Sequence, residues 1–322
     1  MKITMLGDGA FGTACAMLFA DNGHTVELWC YNRAVAEEIE KRRTNSQFLP
    51  GFTIPAGVRP TTDLGAAMAN EVIFEAIPVP YMRSVFEKVE VPEASKKLWV
   101  ILSKGIEAET LMFPSQILSH ACGGGPRIAV LSGPSFAREL AKKQPTILSI
   151  AAVEQADAEM VGKICGNSYC CCVFNDDMLA IQLLGALKNV VALGVGLLAG
   201  AGFGENTRIF FVLRCLDEIG DLLFAYGCGR KRLWEPAGIG DLMLTSFSPQ
   251  SRNYQRGFEL GEGKGRSDAL GGGATAEGLN TIRSVCDMAQ ARGLHLSVIG
   301  AVAAVVVGGA GLERLIKTII GD

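Results

Sequence analysis

Runs of like charge are scarce in this sequence. The longest basic block is Lys41-Arg42-Arg43, and 30 basic against 33 acidic residues leave a net charge of −3. A protein held on nucleic acid by counterion release needs a basic face, so that class is excluded. Histidine is rare as well, with three in 322 residues. None stands near a second ligand, and the ten cysteines form no C-x-x-C pair, which argues against a zinc site. Long apolar runs are also missing. The longest, 190–204 and 298–311, are broken by glycine and fall short of the ~20 residues that cross a bilayer. The chain opens directly on a strand-like run rather than on a signal sequence, so no secretory signal and no membrane insertion are expected. So many unpaired thiols suit the cytoplasm. Cys170-Cys171-Cys172 is expected at the end of a buried strand, because free cysteine packs as a small hydrophobe.

What is present fits a globular protein of two domains. Apolar residues make up 49% and charged residues 20%, enough apolar material for ordinary cores. The 39 glycines suggest backbone close to a ligand or tight helix packing. The first half alternates between two hydrophobic periods. Strands are expected at 2–6, 25–30, 71–77, 98–103, 127–132, 146–152 and 169–174. Helices are expected at 11–22, 33–42, 80–89, 110–120, 134–142 and 155–166, with a polar, Pro- and Gly-marked stretch at 44–62. That succession predicts an α/β, Rossmann-like, doubly wound and mostly parallel sheet over residues 1–178. After 178 only helical patterns remain, at 178–201, 206–227, 238–248, 275–291 and 297–308. An all-helical domain is therefore expected over 179–322, with a flexible loop at 261–273.

Gly7-Asp8-Gly9-Ala10-Phe11-Gly12 is a G-x-G-x-x-G that follows a strand and opens a helix. In that setting Gly7 permits the tight turn, Gly9 lets the backbone approach a pyrophosphate, and Gly12 lets helix and sheet close together. A nicotinamide dinucleotide is the expected cofactor. The second strand ends in Trp29-Cys30-Tyr31-Asn32-Arg33 without the acid that grips a ribose 2′-hydroxyl. Tyr31 has the shape to stack on adenine and Arg33 the charge to pair with a 2′-phosphate, which tilts the reading from NAD toward NADP. Arg33 equally suits the first turn of a solvated helix.

Lys188 is the most informative residue in the second half. It is one ammonium in a helix that is apolar all round, and burying it is costly unless it has a partner or a task. A desolvated lysine has a lowered pKa and can pass a proton near neutral pH. Lys104 stands at a strand end, on the rim where open α/β sheets bind ligands. Gly133 and Ser135 follow the next strand on the same rim. Asp241, between glycines and an apolar run, fits either a helix cap or a partner that orients a lysine. Ser251-Arg252-Asn253 offers a fork-shaped cation and two neutral polar groups, a set suited to phosphate. Together these residues fit carbonyl reduction of a small anionic substrate.

Ten segments carry a resemblance in order: GDGAFGTA (7–14), NGHTVELW (22–29), FLPG (48–51), SKGIEAET (103–110), VLSGPSFAREL (130–140), GALKNVVALGVG (185–196), GFGENTR (202–208), GIGDLMLT (238–245), SRN (251–253) and AEG (276–278). The chain resembles the soluble, two-domain NAD(P)-dependent glycerol-3-phosphate dehydrogenases from Ile3 to about Leu294. The resemblance implies reversible reduction of dihydroxyacetone phosphate to sn-glycerol 3-phosphate, a three-carbon phosphorylated substrate, a role in glycerophospholipid synthesis, and a homodimer. It implies that Lys188 passes the proton at the C2 oxygen, that Lys104 holds the substrate beside the cofactor, and that Asp241 orients the lysines. It places Ser251, Arg252 and Asn253 at the phosphate, and Gly133 and Ser135 along the substrate. Ala10, Phe11, Ala137, Lys104, Arg252, Thr275 and Glu277 would touch the cofactor. Asp8 departs from the family, which has a small neutral residue there. Competing readings are a reductase of a 2-keto acid or a ketopantoate-like ketone, and a non-catalytic dinucleotide sensor. The latter would not need Lys188 buried with Asp241.

Overall fold

The computed structural model describes residues 1–88, 93–123, 125–264 and 277–321. The chain divides into two compact units, Met1–Ser103 with Pro114–Met178, and Lys104–Phe113 with Leu179–Asp322. The short segment carrying Lys104 thus belongs with the helices rather than with the sheet that precedes it.

The first unit is built on one eight-stranded sheet: β1 (Lys2–Leu6), β2 (Thr25–Trp29), β3 (Val58–Thr61), β4 (Val72–Glu75), β5 (Leu98–Ile101), β6 (Arg127–Ser132), β7 (Thr146–Ala152) and β8 (Cys170–Asn175). The order is β3-β2-β1-β4-β5-β6-β7-β8. All neighbours run parallel except β6 and β7, which are antiparallel. Successive residues of β1, β4 and β5 are buried, so these inner strands are covered on both faces. On one face Phe19 of the helix Ala10–Asp21 packs on Phe74 at 4.3 Å between ring centroids. On the other, Phe86 of the helix Val79–Phe86 meets Trp99 edge-on at 5.6 Å.

Three details differ from the reading of the sequence. β3 lies inside the stretch expected to be irregular. It is an edge strand, which is why Pro60 is tolerated there without an amide to donate. The three adjacent cysteines open β8 rather than end a buried strand. β8 is the opposite edge, and while Cys170 is buried, Cys171 is exposed. In the second half, the helices Arg252–Gly261 and Leu312–Ile320 were not expected. Residues 265–273 of the expected loop lie outside the described residues.

The second unit is organised around the helix Met178–Gly200, whose residues 180–198 are all buried. By length and composition this helix could span a bilayer, yet 89% of its apolar window is covered by the protein itself. Its glycines set how closely neighbours approach. A Cβ on Gly196 would lie 2.0 Å from the Tyr254 carbonyl oxygen, and one on Gly257 would lie 2.0 Å from that of Leu193. Gly200 and Gly261 make the same reciprocal contact one turn further on. The helix Arg252–Gly261 is therefore seated backbone to backbone against Met178–Gly200. Elsewhere Glu218 accepts from the Val298 and Ile299 amides at 2.6 and 2.9 Å, satisfying two N–H groups that begin the helix Ser297–Val306.

Candidate active site

In the sheet unit the glycine turn has the shape its spacing predicts. Gly7 has φ +115°, and a Cβ there would press to 3.0 Å from the Ala76 carbonyl oxygen. A Cβ on Gly12 would lie 2.1 Å from the Gly7 carbonyl oxygen, so the helix and the turn after β1 touch through bare backbone. A Cβ on Gly9 would meet nothing within 4 Å. The helix Ala10–Asp21 starts there with no side chain capping it, which leaves the amides around Ala10 and Phe11 for an outside acceptor. This open, uncapped turn fits the pyrophosphate of a dinucleotide.

The surrounding residues lock the turn. Asn45 Nδ2 donates to the Asp8 carbonyl at 2.8 Å and to Thr13 Oγ1 at 2.9 Å, and the Thr13 hydroxyl donates to the same Asp8 carbonyl. Asn45 and Thr13 were not singled out from the sequence. Their signal is tertiary, since 37 residues separate Asn45 from Asp8. Tyr31 is exposed and stands edge-on to Trp29. Arg33 begins the helix Arg33–Arg42 and donates to Glu37 at 3.1 Å on an exposed face. Gly133, at φ +153°, passes within close reach of β7, where a Cβ would sit 2.6 Å from the Ile147 carbonyl oxygen. The Ser135 hydroxyl donates to the Gly133 carbonyl at 3.0 Å. Ala137 opens the helix Ala137–Ala141. The next residue, Arg138, lies over the Phe52 ring and brings the 48–51 and 130–140 segments together.

The helical unit gathers the candidates for proton transfer. Asp241 begins the helix Asp241–Phe247 and is buried. Its Oδ1 accepts from Lys188 Nζ at 2.5 Å and its Oδ2 from Lys104 Nζ at 2.7 Å. The Lys188 ammonium also donates to Thr245 Oγ1 at 3.1 Å, one turn after Asp241 on the same helix. The side chains of Lys188 and Lys104 are 10% and 16% exposed, so two ammoniums share one buried carboxylate. Room for the second comes from Gly185, because a Cβ there would press to 3.3 Å from the Lys104 stem.

Charge balance decides the protonation states. Burial pulls the Lys188 pKa down, Asp241 pushes it up and Lys104 lowers it again, leaving it at about 8. Burial alone would raise the Asp241 pKa, but Lys104 and Lys188 outweigh it and hold the carboxyl below its ordinary range. The site therefore holds a firmly ionised carboxylate beside an ammonium that titrates close to neutrality, the property required of a general acid–base.

A second polar pair adjoins this one in sequence. Asn253 Nδ2 donates to Asn189 Oδ1 at 3.0 Å, which joins the residue after Lys188 to the Ser251-Arg252-Asn253 segment. Ser251 caps the helix Arg252–Gly261 by accepting from the Tyr254 amide, and Arg252 is exposed in its first turn. The helix start with its arginine fits an anion. Neither Asn189 nor Thr245 was singled out from the sequence, although each is legible once Lys188 and Asp241 are fixed. Thr275 lies outside the described residues. Glu277 begins the helix Glu277–Ala291, and its side chain lies outside the description. Among the described residues no group of three or more His, Cys, Asp or Glu is placed to hold a metal ion.

A dinucleotide-type sheet and a helical unit with a buried lysine–carboxylate centre define a two-unit enzyme of the nicotinamide-dependent reductase class. Comparison with known proteins gives the family. Residues 2–158 match the NAD-dependent glycerol-3-phosphate dehydrogenase N-terminus and residues 177–317 match its C-terminus. The chain belongs to this family. It is 37% identical over 320 residues to an NAD(P)+ glycerol-3-phosphate dehydrogenase of Azotobacter vinelandii, covering 99% of this chain and 94% of that one. A counterpart from Methylobacterium radiotolerans is 34% identical, covering 99% and 96%. The crystal structure of a glycerol-3-phosphate dehydrogenase (gpsA) from Coxiella burnetii has a TM-score of 0.94 at 27% identity, covering 100% and 99%. A ketopantoate reductase from Ralstonia eutropha reaches a TM-score of 0.61 at 14% identity, a likeness of fold alone.

Proposed function

We propose that the chain interconverts dihydroxyacetone phosphate and sn-glycerol 3-phosphate with NAD(P)H, and that Lys188 passes the proton at the C2 oxygen. The observation that carries this reading is the Lys188–Asp241–Lys104 centre. The nicotinamide cofactor supplies the hydride when bound. Gly7, Gly9, Ala10, Phe11 and Gly12 would hold its pyrophosphate, with Ala137, Tyr31, Arg33, Thr275 and Glu277 as further contacts. Lys188, ionised below pH 8, would stabilise negative charge growing on the C2 oxygen and give it a proton in reduction. In oxidation the neutral amine would take that proton back. Asp241 keeps both ammoniums in place, and Lys104 would bind the substrate and reach toward the cofactor.

Arg252, with Ser251 and Asn253, would bind the phosphate of the substrate, and Arg252 would touch the cofactor as well. Gly133 and Ser135 would line the substrate. Phosphate binding remote from C2 would supply positioning energy for the reacting end. We also assign the protein to the cytoplasm, whose reducing conditions suit a chain with ten cysteines. A homodimer is the proposed assembly. Ile209, Phe210 and Leu213 put large apolar side chains on an exposed part of the helix Glu205–Ala225.

The test is steady-state cofactor oxidation with dihydroxyacetone phosphate against pyruvate and ketopantoate. Turnover with the phosphorylated ketone alone is expected. A preference for either keto acid, or no turnover with any ketone, would discard the reading.

A further inference from the structure

The cofactor's nucleotide preference is decided where β2 ends, and this inference rests on the dinucleotide reading above. In sheets of this kind an acid at the end of the second strand grips free ribose hydroxyls. The residues that follow β2 supply none. Asn32 spends its side chain locally: Oδ1 accepts from the Ala34 amide at 2.9 Å and Nδ2 donates to Gln47 at 3.3 Å. The Arg33 guanidinium is turned onto Glu37.

The missing carboxylate arrives from the glycine turn instead. Asp8 Oδ2 accepts from the Asn32 backbone amide at 3.3 Å, which places its carboxylate at the end of β2. The residue is 7% exposed, and among the described residues no cation pairs with it. Its backbone carbonyl is fixed by Asn45 and Thr13, so the side chain starts from a locked position. The sequence hides this relationship, because 24 residues separate the partners.

We infer that Asp8 is a specificity-determining residue: its carboxylate accepts from the adenosine ribose when both hydroxyls are free and repels a 2′-phosphate, so the chain prefers NADH to NADPH. A buried carboxylate with no cation beside it would be a repulsive element toward a phosphate, the kind that sets specificity by excluding the wrong partner. This reverses the tilt toward NADP that Arg33 suggested from the sequence alone, since that guanidinium is engaged on an exposed helix face.

The test is direct binding. Dissociation constants for NADH and NADPH are measured by calorimetry on the full chain and on D8N and D8A. The wild-type chain should bind NADH at least about tenfold more tightly than NADPH. D8N keeps the size and an acceptor oxygen for the Asn32 amide but loses the charge. It should tighten NADPH by about tenfold and weaken NADH, and D8A should move the ratio the same way. Tighter NADPH binding is a gain that a damaged fold does not give. Equal wild-type affinities, or an unchanged ratio in both variants, would overturn the role of Asp8 alone. Binding of neither nucleotide would overturn the dinucleotide reading, and this inference with it.

Discussion

Lys188 and Asp241 meet inside the helical unit at 2.5 Å, nitrogen to oxygen, with side chains only 10% and 2% exposed. Such a pair is held by its geometry. Desolvation works against both ions, and their attraction, with Lys104 on the second carboxylate oxygen, works for them. A balance this close leaves the lysine able to lose its proton near neutral pH, as no solvated lysine does.

Lys188→Ala removes the acid and leaves the Lys104–Asp241 pair in place. Turnover with dihydroxyacetone phosphate should fall by about 10²–10⁴-fold, the range for loss of a positioned acid–base group. Dinucleotide affinity, read by calorimetry, should stay within a few-fold of wild type. Near-normal turnover would remove Lys188 from the chemistry.

The pH profile carries an independent prediction with a definite sign. Reduction needs the ammonium, so its rate should fall as pH rises through about 8, and oxidation should rise through the same value. Asp241 raises the Lys188 pKa, so Asp241→Asn should move both limbs to lower pH. The same variant leaves two ammoniums buried without their anion and should cost ~3–5 kcal/mol of stability at neutral pH. That cost should shrink as pH rises, because Lys188 then releases its proton in the native state and is no longer held there as a buried ion. Limbs that stay in place in the variant would detach the profile from this pair.

Lys188 was legible in the sequence for one physical reason: a charge inside an all-apolar helix has to be accounted for. The glycine turn was legible because strand, turn and helix follow one another without a gap. The helix Arg252–Gly261 was not. Glycines at 257 and 261 add nothing to a helical pattern in one dimension, while in three dimensions they are what lets the helix sit against Gly196 and Gly200. Asp8 was read as an oddity of the turn because its partner, the Asn32 amide, belongs to another strand end. β3 was masked by Pro60, which only an edge position permits. Glu75 could have been found by the argument that found Lys188, since it too is a lone charge in an apolar run.

The glycine seam makes a stability prediction. Gly257→Ala puts a methyl group 2.0 Å from the Leu193 carbonyl oxygen, where backbone rather than a flexible side chain has to yield. Destabilisation by ~1–3 kcal/mol or more is expected, seen as a lower midpoint in urea unfolding. The shift also moves Asn253 relative to Asn189, so the Michaelis constant for the phosphorylated substrate should rise. Gly263→Ala is the control. Its Cβ position is open, and its φ of +80° makes any cost purely conformational and local. Equal losses in both variants would mean that the seam is not tightly packed.

Glu75 gives a pH-dependent prediction away from the lysine centre. It ends β4, fully buried, and burial pushes its pKa up to about 8 although Ser103 and the Ile77 amide donate to it. In the native state it therefore holds a proton that the unfolded chain has released above pH 4.5. Native stability must then decline as pH rises from about 4.5 to about 8 by this group alone. Glu75→Gln keeps an acceptor for the Ile77 amide, and the Ser103 hydroxyl can rotate to accept from the new amide group. It carries no ionisation, so the variant should match the wild type near pH 5 and exceed it by ~1–3 kcal/mol near pH 8. Urea unfolding at several pH values reads the difference directly. A gap that stays constant with pH would mean that Glu75 is as easily ionised in the fold as outside it, and that the carboxylate is compensated at the end of β4 after all.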